Sequence, residues 1–307
     1  RQPFGLASPA AWLRAAGEDV DCVDTSRVPL EDHEIESATF IAFYLPMHTA
    51  TRLAAPLIER ARRVNPSARL CAYGLYAPLN AQWLRERGVT DILGPEAEAE
   101  LVGLVTAHSP QPTAQSLEPR RPEPKAQSPQ PRAEIPRLRF ITPDRAGLPA
   151  LEQYASLRMP DGSRRIMGST DATRGCKHLC RHCPIVPVYQ GQFRVVPLDV
   201  VMEDVRAQVA AGAQHISFGD PDFLNGPTHA RHLVERFHEE CPDVSYDVTI
   251  KIEHLIKHAD MVPVLRDTGC LFITSAVEAV DDVVLEHLMK GHTRRDFINV
   301  AALCRGS

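Results

Sequence analysis

The sequence predicts an α/β protein in two parts: a doubly wound parallel sheet of flavodoxin or Rossmann type, followed by a partial (β/α) barrel. Three observations support this fold class. With 307 residues, the chain is longer than one ordinary domain of about 100 to 200 residues. Strand-like and helix-like patterns alternate on both sides of a proline-rich stretch, and such alternation is typical of parallel sheets with crossover helices. The second series repeats at intervals of roughly 30 residues, as in a barrel.

The first part, residues 1–108, contains four strand-like and four helix-like segments. The run TFIAFYL at 39–45 is typical of a buried strand. Gly17 and Gly88 follow two of the helical patterns, at a position where glycine often ends a helix. The strands are predicted at 19–23, 39–45, 69–75 and 91–93. The helices are predicted at 10–16, 50–64, 80–87 and 97–106.

A proline-rich stretch at 109–137 separates the two parts. It contains eight prolines among polar and charged residues, so it cannot form a hydrophobic core and is expected to be a semi-rigid, solvated linker. Its basic residues leave a nucleic-acid-binding arm as an alternative, although interspersed glutamates argue against it. The predicted domains are therefore 1–108 and 138–307, joined by the linker.

The second part resembles a (β/α) barrel that is cut short. Only 132 residues run from Cys176 to the end of the sequence, whereas a complete barrel takes about 200 or more. We therefore interpret the chain, which starts at Arg1, as a fragment truncated at its C-terminus, and we expect an unpaired edge on the fourth strand. The strands are predicted at 165–173, 213–218, 245–251 and 270–276. The helices are predicted at 198–211, 228–240, 256–268, 281–289 and 294–304.

Composition and charge narrow the classes of partner. The net charge of -5 and the pI near 6.2 argue against binding to a phosphate backbone, so a small-molecule or peptide substrate is the better expectation. No apolar run reaches the roughly 18 to 20 residues of a membrane span. Five of the eight cysteines are scattered without the pattern of a disulfide framework, which favours a reducing cytoplasm.

The strongest motif is a loop in which Cys176, Cys180 and Cys183 have the spacing Cys-x3-Cys-x2-Cys. Three thiolates in one short loop can each bind one iron of a [4Fe–4S] cluster, which leaves the fourth iron open to a substrate. Lys177 and Arg181 in the same loop offset the negative charge of such a cluster.

Three other interpretations of this loop stay open. The cysteines share one helix face and could be buried core residues. A structural zinc ion could use His178 or His182 as its fourth ligand. A simple electron-transfer cluster would need a fourth cysteine, and the candidates are Cys241, Cys270 and Cys304.

The loop at 175–184 (GCKHLCRHCP) resembles the signature of the radical S-adenosylmethionine (SAM) superfamily. The resemblance implies a radical SAM barrel, with a [4Fe–4S] cluster on the three cysteines and SAM on the open iron. One electron would cleave SAM to methionine and a 5′-deoxyadenosyl radical, supplied by a reductant such as flavodoxin or ferredoxin. The alternative is an iron–sulfur or zinc scaffold, or an electron-transfer module, without radical catalysis.

Other positions match the family near the ends of predicted strands. Gly219 and Asp220 occupy the place of a Gly-Gly-Glu-like element that receives the SAM amino group, and a simple turn is the alternative. The run 275–278 resembles a Gly-Val-Glu-Ser element whose glutamate binds the SAM ribose. Lys251 ends the third strand, where a surface lysine is equally compatible. The residues assigned to SAM binding are His182, Gly219, Asp220, Lys251, Ser275 and Glu278.

The first part is similar to the cobalamin-binding domain that precedes the barrel in a large subgroup of the family. The run GPEAE at 94–98 echoes a Gly-Glu-x-Glu element, but the cobalt-ligating Asp-x-His-x-x-Gly element is absent. If Gly5 is its last glycine, Gln2 replaces the histidine. We therefore expect cobalamin as a third cofactor only without a histidine ligand, and His48 either lines its cleft or lies on the surface. Both parts also resemble members named for selenocysteine- or cysteine-bearing tails.

Overall fold

The computed structural model describes residues 1–107 and 139–306, and the predicted linker at 109–137 lies outside them. Both described parts are α/β units built on parallel strands. In the described part of the chain, no helix combines the length and apolar character needed to cross a membrane.

The N-terminal unit is a three-stranded parallel sheet with strand order β1-β2-β3. Its strands are β1 (Phe40–Tyr44), β2 (Arg69–Tyr73) and β3 (Asp91–Ile92). Its helices are α1 (Phe4–Ala15), α2 (Asp32–Ser37), α3 (His48–Val64), α4 (Ala81–Glu86) and α5 (Glu98–Thr106), with a 3-10 turn at Pro78–Asn80.

Helices cover both faces of this sheet because successive side chains of a strand point to opposite sides. One face packs against α3 and α4, and its buried members are Phe43, Leu70, Ala72, Ile58 and Leu84. The other face packs against α5 through Cys71, Tyr73 and Leu101, and α1 lies beside α5. The predicted doubly wound arrangement is confirmed.

Three predictions for this unit need correction. The predicted strand at 19–23 is wrong, since within residues 1–107 no neighbouring strand pairs with this segment. Helix α1 begins at Phe4 and contains Pro9, whereas the prediction starts after that proline. The short helix α2 was not predicted, and its start is stabilised by a capping box between Glu31 and Glu34.

The C-terminal unit is a curled half-barrel with strand order β10-β9-β8-β5-β4, in which β4 alone is antiparallel. Its strands are β4 (Ser156–Arg158), β5 (Arg164–Thr170), β8 (His215–Phe218), β9 (Ser245–Thr249) and β10 (Cys270–Thr274). A separate antiparallel pair consists of β6 (Thr173–Gly175) and β7 (Phe193–Val195). The helices are α6 (Val186–Tyr189), α7 (Leu198–Ala210), α8 (Pro227–Glu240), α9 (Ile252–Lys257), α10 (Met261–Asp267), α11 (Asp282–His287) and α12 (Arg294–Arg305), with 3-10 turns at Leu151–Gln153 and Phe223–Asn225.

The core of the half-barrel lies between its strands and the helices that follow them. Phe218, Phe237 and Tyr246 form a fully buried aromatic cluster with ring centroids 5.3 to 6.2 Å apart. Strand β10 pairs with β9 alone within the described residues, so the predicted free edge is confirmed. Leu271 and Phe272 on this edge are 43% and 40% exposed.

Two predicted elements of this unit are divided in the structure. The predicted strand at 165–173 ends at Thr170, and the chain then leaves the sheet to pair β6 with β7. The predicted helix at 256–268 is the end of α9 and a separate helix α10, with a break at 258–260. The first break lies at the carboxyl end of β5, where parallel α/β sheets place their functional loops.

Candidate functional site

The cysteine loop begins at a position that only glycine can occupy. Gly175 has a φ of +79°, and an added Cβ would lie 2.4 Å from the Tyr189 ring and 2.6 Å from the carbonyl oxygen of Gln192. The next residue continues this contact, since the backbone N–H of Cys176 donates to the same Gln192 oxygen at 3.1 Å. Short-range packing therefore fixes the direction in which the chain enters the loop.

Asn225, from the loop after β8, holds the first turn of the cysteine loop. Its Oδ1 accepts from the backbone N–H of Lys177 at 3.2 Å, and its Nδ2 donates to the carbonyl of Gly175 at 3.3 Å. The Lys177 ammonium donates to the Asn225 carbonyl at 3.3 Å. Asn225 is 3% exposed. Its role was not predicted, because nothing in the sequence pairs it with a loop 48 residues away.

The three cysteines of the loop share one electrostatic environment. Cys180 is buried, Cys176 and Cys183 are partly exposed, and all three are free thiols. Burial, together with the nearby Asp222, Cys183 and Cys180, raises the pKa of Cys176 to about 11, against the lowering effect of a backbone hydrogen bond from His178. Three clustered thiols are the donor set of an iron–sulfur cluster. Because Cys176 is protonated at neutral pH, ligation must release its proton.

The three proposed fourth ligands are not part of this group. Cys241 caps the end of α8, and Cys270 lies in β10. Among the neighbours that raise the pKa of Cys270 is Cys304 of α12, after burial and Asp247. The three loop cysteines therefore form a set of their own.

Gly219 and Asp220 lie directly beside the segment that leads into the cysteine loop. The Asp220 carboxylate is 2% exposed and accepts from the Ala172 N–H at 2.9 Å and from the Thr173 hydroxyl at 2.5 Å. Burial, with the nearby charge of Asp171, raises its pKa to about 7. An added Cβ on Gly219 would lie 2.3 Å from an Asp171 oxygen.

His182 and Glu278 join the cysteine loop to the loop after β10. The His182 Nε2 lies 3.1 Å from a Glu278 oxygen, and the Lys290 ammonium lies 3.6 Å from the same oxygen. Glu278 has a φ of +70°, which is uncommon for a residue with a side chain. The buried hydroxyl oxygen of Ser275 has no hydrogen-bond partner among the described residues. It is therefore available to a ligand.

Lys251 points beneath the cysteine loop and not into solvent. Its side chain is 10% exposed, and its ammonium donates to Glu253 at 2.8 Å and lies 3.1 Å from the Nδ1 of His178. The alternative of a surface lysine is wrong. The structure thus joins His182 to Glu278, places Gly219 and Asp220 beside the segment that leads into the cysteine loop, and places Lys251 next to His178.

A cleft lies between the carboxyl ends of the two sheets. Its volume is about 220 Å³, and its walls include Tyr44 and Tyr73 from the first sheet and Asp171 from the second. Open α/β sheets bind ligands at this edge. His48 is exposed and outside this cleft, and Gln2 is buried and donates to the Pro149 carbonyl at 2.8 Å.

A buried ion pair crosses the cleft and was not predicted from the sequence. Arg174, two residues before Cys176, lies 2.6 Å from Glu98 of α5. The Ser8 hydroxyl donates to Glu98 at 2.7 Å and accepts from Arg174 at 2.9 Å. Because the pair is buried, removing either partner would leave the other as an uncompensated buried charge. The two sheets are therefore coupled directly at the entrance of the cysteine loop.

Comparisons with known proteins agree with this architecture. The family model of the radical SAM superfamily matches residues 171–307. The ribosomal protein uS12 methylthiotransferase RimO of Parabacteroides distasonis is 24% identical over 129 residues, which are 40% of this chain and 30% of the relative. A tRNA-2-methylthio-N(6)-dimethylallyladenosine synthase of Fusobacterium nucleatum is 39% identical over 75 residues, which are 22% of this chain and 17% of the relative.

Two solved structures share the fold over 99% of this chain. The radical SAM methyltransferase TsrM from Kitasatospora setae, with cobalamin and a [4Fe-4S] cluster bound, has a TM-score of 0.72 at 18% identity, and 62% of its chain is covered. The cobalamin-dependent SAM radical enzyme OxsB has a TM-score of 0.65 at 11% identity, with 45% covered. This chain therefore spans less than two thirds of these relatives. We conclude that residues 171–307 carry a radical SAM domain, and that the N-terminal unit shares the fold of the matching part of these two cobalamin-dependent enzymes.

Proposed function

We propose that this protein cleaves SAM reductively, with a [4Fe–4S] cluster bound by Cys176, Cys180 and Cys183, and starts radical chemistry on a small-molecule or peptide substrate. The observation that carries the proposal is the group of three free thiols in the loop after β6, where Cys180 and Cys183 are near enough to raise the pKa of Cys176. When bound, such a cluster supplies one electron, which converts SAM into methionine and a 5′-deoxyadenosyl radical.

The residues around the cysteines have distinct roles in this proposal. Gly175 and Asn225 hold the loop in the conformation that presents its thiols. Lys177 and Arg181 supply positive charge beside an anionic cluster. His182, within the same loop, is oriented by Glu278.

SAM would lie across the carboxyl ends of the half-barrel strands. We assign its amino group to Asp220, with Gly219 permitting close backbone approach. A carboxylate offers about four acceptor sites, and two of those on Asp220 are used by Ala172 and Thr173. An ammonium group on the remaining sites would lower the Asp220 pKa from about 7 and favour the charged form.

The other end of SAM would meet the loop after β10. The Ser275 hydroxyl is buried without a partner among the described residues, and a ribose hydroxyl would satisfy it. Glu278, close to His182, would accept a second ribose hydrogen bond. Lys251 would stay beneath the cysteine loop, where its ammonium contacts His178, a residue of that loop.

Cobalamin is part of the proposal as a ligand of the cleft between the two sheets. The cleft has the expected position at the carboxyl ends of both sheets, with polar and aromatic walls, but its 220 Å³ is below the roughly 300–1,000 Å³ of drug-sized ligand pockets. Tyr44 and Tyr73, whose ring centroids are 5.3 Å apart, narrow it. We therefore propose that cobalamin binding requires the cleft to open. When bound, cobalamin supplies group-transfer chemistry at cobalt.

The cellular setting follows from the same chemistry. All eight cysteines are free thiols, as a reducing compartment such as the cytoplasm requires. A one-electron reductant of the flavodoxin or ferredoxin type would supply the electron. The boundaries 1–108, 109–137 and 138–307 remain our proposed domain division. The substrates named for RimO and the tRNA synthase are not transferred to this chain, since the matches cover at most 40% of it for these two relatives.

Anaerobic reconstitution tests the proposal. We expect a brown protein with about four irons per chain, a SAM-dependent change in the EPR signal of the reduced cluster, and formation of 5′-deoxyadenosine. Cys176→Ala should abolish all three, whereas the matched control Cys241→Ala should keep them. One zinc ion that is lost in Cys176→Ala, without 5′-deoxyadenosine in the wild type, would instead support the scaffold alternative. For cobalamin, added aquacobalamin should co-purify with the protein in about one equivalent.

A further inference from the structure

Three side chains from three different elements converge beneath the cysteine loop. His178 comes from the loop itself, Asp222 from the segment after β8, and His254 from α9. One ligand atom of each lies within 4.8 Å of the other two. The side chains of Asp222 and His254 are each 2% exposed, and that of His178 is 12% exposed. This His–Asp–His group includes none of the three thiols, although Asp222 is near enough to raise the pKa of Cys176.

The facing atoms of this group lie at ion-pair distances from one another. The Oδ2 of Asp222 lies 2.9 Å from the Nδ1 of His254 and 3.4 Å from the Nε2 of His178. Despite these distances, all three atoms are buried without an aligned hydrogen-bond partner among the described residues. The other Asp222 oxygen accepts from the Leu224 N–H at 3.1 Å, which fixes the carboxylate. Three buried potential metal-ligand atoms therefore face one another within 4.8 Å.

The spacing of the three atoms suits one metal ion. Zinc binds histidine nitrogen at about 2.0–2.1 Å and carboxylate oxygen at about 2.0–2.2 Å, so neighbouring ligand atoms around it are separated by about 3 Å. The distances of 2.9 and 3.4 Å match this separation. Two imidazoles and one carboxylate also form a donor set that proteins use for zinc and for mononuclear iron(II).

A second carboxylate is placed to orient one of the imidazoles. An oxygen of Glu253 lies 3.6 Å from the Nδ1 of His178 and accepts from Lys251 at 2.8 Å. Metal-bound histidines commonly donate their other ring proton to such a carboxylate. In the metal-bound state, the His178 Nδ1–H would donate to Glu253, and Lys251 would keep its contact with Glu253 alone.

We propose that His178, Asp222 and His254 bind one divalent transition-metal ion, with zinc as the reference ion, next to the cluster-binding loop. The ion ties that loop to the ends of two barrel strands and leaves at least one coordination position open. This site does not depend on the proposed SAM cleavage, because its ligands include none of the three cysteines.

Metal binding by a cysteine-free loop tests this site directly. The full chain carrying Cys176→Ala, Cys180→Ala and Cys183→Ala is treated with a chelator and titrated with Co²⁺. We expect one equivalent to bind with visible d–d absorption bands, without thiolate charge-transfer bands, and to be displaced by Zn²⁺. Since the thiols are absent, failure of SAM cleavage in the native protein would not affect this result.

Ligand variants in the same background identify the residues. Asp222→Asn and His254→Gln should each weaken Zn²⁺ binding by about 100-fold or more, and Glu253→Gln by about 10- to 100-fold. His232→Gln changes an exposed histidine of α8 and should leave the affinity unchanged. Absence of stoichiometric Co²⁺ binding, or unchanged affinity in Asp222→Asn, would overturn the proposal.

A second measurement covers the case in which the cysteine-free chain does not fold. Wild-type protein with an assembled cluster is analysed for zinc as well as iron. We expect about one zinc in addition to the cluster iron, and about none in Asp222→Asn with the same iron content. Equal zinc in the two proteins would contradict the assignment.

Discussion

Two aspartates on opposite sides of the loop after β8 differ sharply in acid strength. Burial and the nearby Asp171 raise the pKa of Asp220 to about 7. Burial also opposes ionisation of Asp222, but His178 and His254 outweigh it and lower the pKa to about 2. The two residues are 2% and 1% exposed. Burial alone therefore does not decide the charge of a carboxyl group here, and its neighbours do.

This contrast separates the surroundings of the cysteine loop into two regions. The side toward the interdomain cleft carries carboxyl groups that hold protons near neutral pH, represented by Asp171 and Asp220. The side beneath the loop carries the anionic Asp222 between two imidazoles. The first region is suited to an approaching ammonium group, and the second to a metal ion.

The largest expected effect comes from neutralising one aspartate at a time at pH 6 in metal-free protein. Asp222→Asn removes a buried negative charge from between two imidazoles and should lower the free energy of unfolding by about 3–5 kcal/mol. Asp220→Asn replaces a group that is already mostly protonated, so only about 1 kcal/mol should be lost with one hydrogen bond. Urea unfolding measures both. Equal losses of unfolding free energy in the two variants would show that Asp220 and Asp222 do not differ in charge at pH 6.

A pH-dependent prediction concerns Asp171, which lines the cleft. Burial raises its pKa from 3.8 to about 6, against the opposing charge of Arg174. The folded chain therefore holds a proton that the unfolded chain releases between these values, and stability is lost as the pH rises from about 4 to above 6. Asp171→Asn lacks this titrating carboxyl group, so the variant does not show this loss of stability.

The stability difference between Asp171→Asn and wild type should consequently shift in favour of the variant between pH 4 and pH 8. The shift should reach at most about 3 kcal/mol, the equivalent of the change from 3.8 to about 6. Urea unfolding across this pH range measures it. A difference that does not change with pH would show that Asp171 ionises normally.

A smaller effect is expected at Gly5, which lies against the ring of Tyr44 in the wall of the cleft. An added Cβ on Gly5 would lie 2.0 Å from the Tyr44 ring, so Gly5→Ala must displace that ring and should destabilise the protein by about 1–3 kcal/mol. Gly103 of α5 has open space where a methyl group would be added, and Gly103→Ala should instead stabilise by about 0.5–1 kcal/mol. Thermal unfolding compares the two, and equal signs would contradict the packing argument.

The smallest expected effect concerns the unpartnered hydroxyl of Ser275. Ser275→Ala should leave the free energy of unfolding nearly unchanged, because no hydrogen bond within the described residues is lost. Its affinity for SAM should fall by about 2- to 12-fold, the equivalent of one hydrogen bond of about 0.5–1.5 kcal/mol. Equilibrium binding of SAM to reconstituted protein measures this, and unchanged affinity would remove Ser275 from the proposed site.

Much of the fold could be predicted from hydrophobic patterns, since both parallel sheets rest on continuous apolar strands such as the run at 39–45. Whether residues 19–23 form a strand could not be decided from their hydrophobic pattern. A strand needs a partner as well as a pattern, and partners are set by tertiary structure. For the same reason, the departure of β6 from the main sheet was not predicted.

The site was predicted where its signal is local and was missed where its signal is spatial. The cysteine spacing is local, so it was found. From the sequence, His178 has a local signal only as a fourth zinc ligand beside the cysteines, and Asp222 lies 44 residues beyond it. Their common partner, His254, is 76 residues beyond His178. Likewise, Glu98 and Arg174 are 76 residues apart and meet only after both units have folded.

The ion pair of Arg174 with Glu98 limits how this chain could exchange its domains during evolution or in protein engineering. A half-barrel separated from its N-terminal unit would lose the hydrogen-bonded carboxylate of Arg174, two residues before its first cysteine, and would keep only the nearby Asp171 to oppose that charge. Recombination with an unrelated partner would therefore require a compensating acid at the place of Glu98, or an apolar replacement for Arg174. We therefore expect the arginine and the glutamate to be inherited together in proteins that combine these two units.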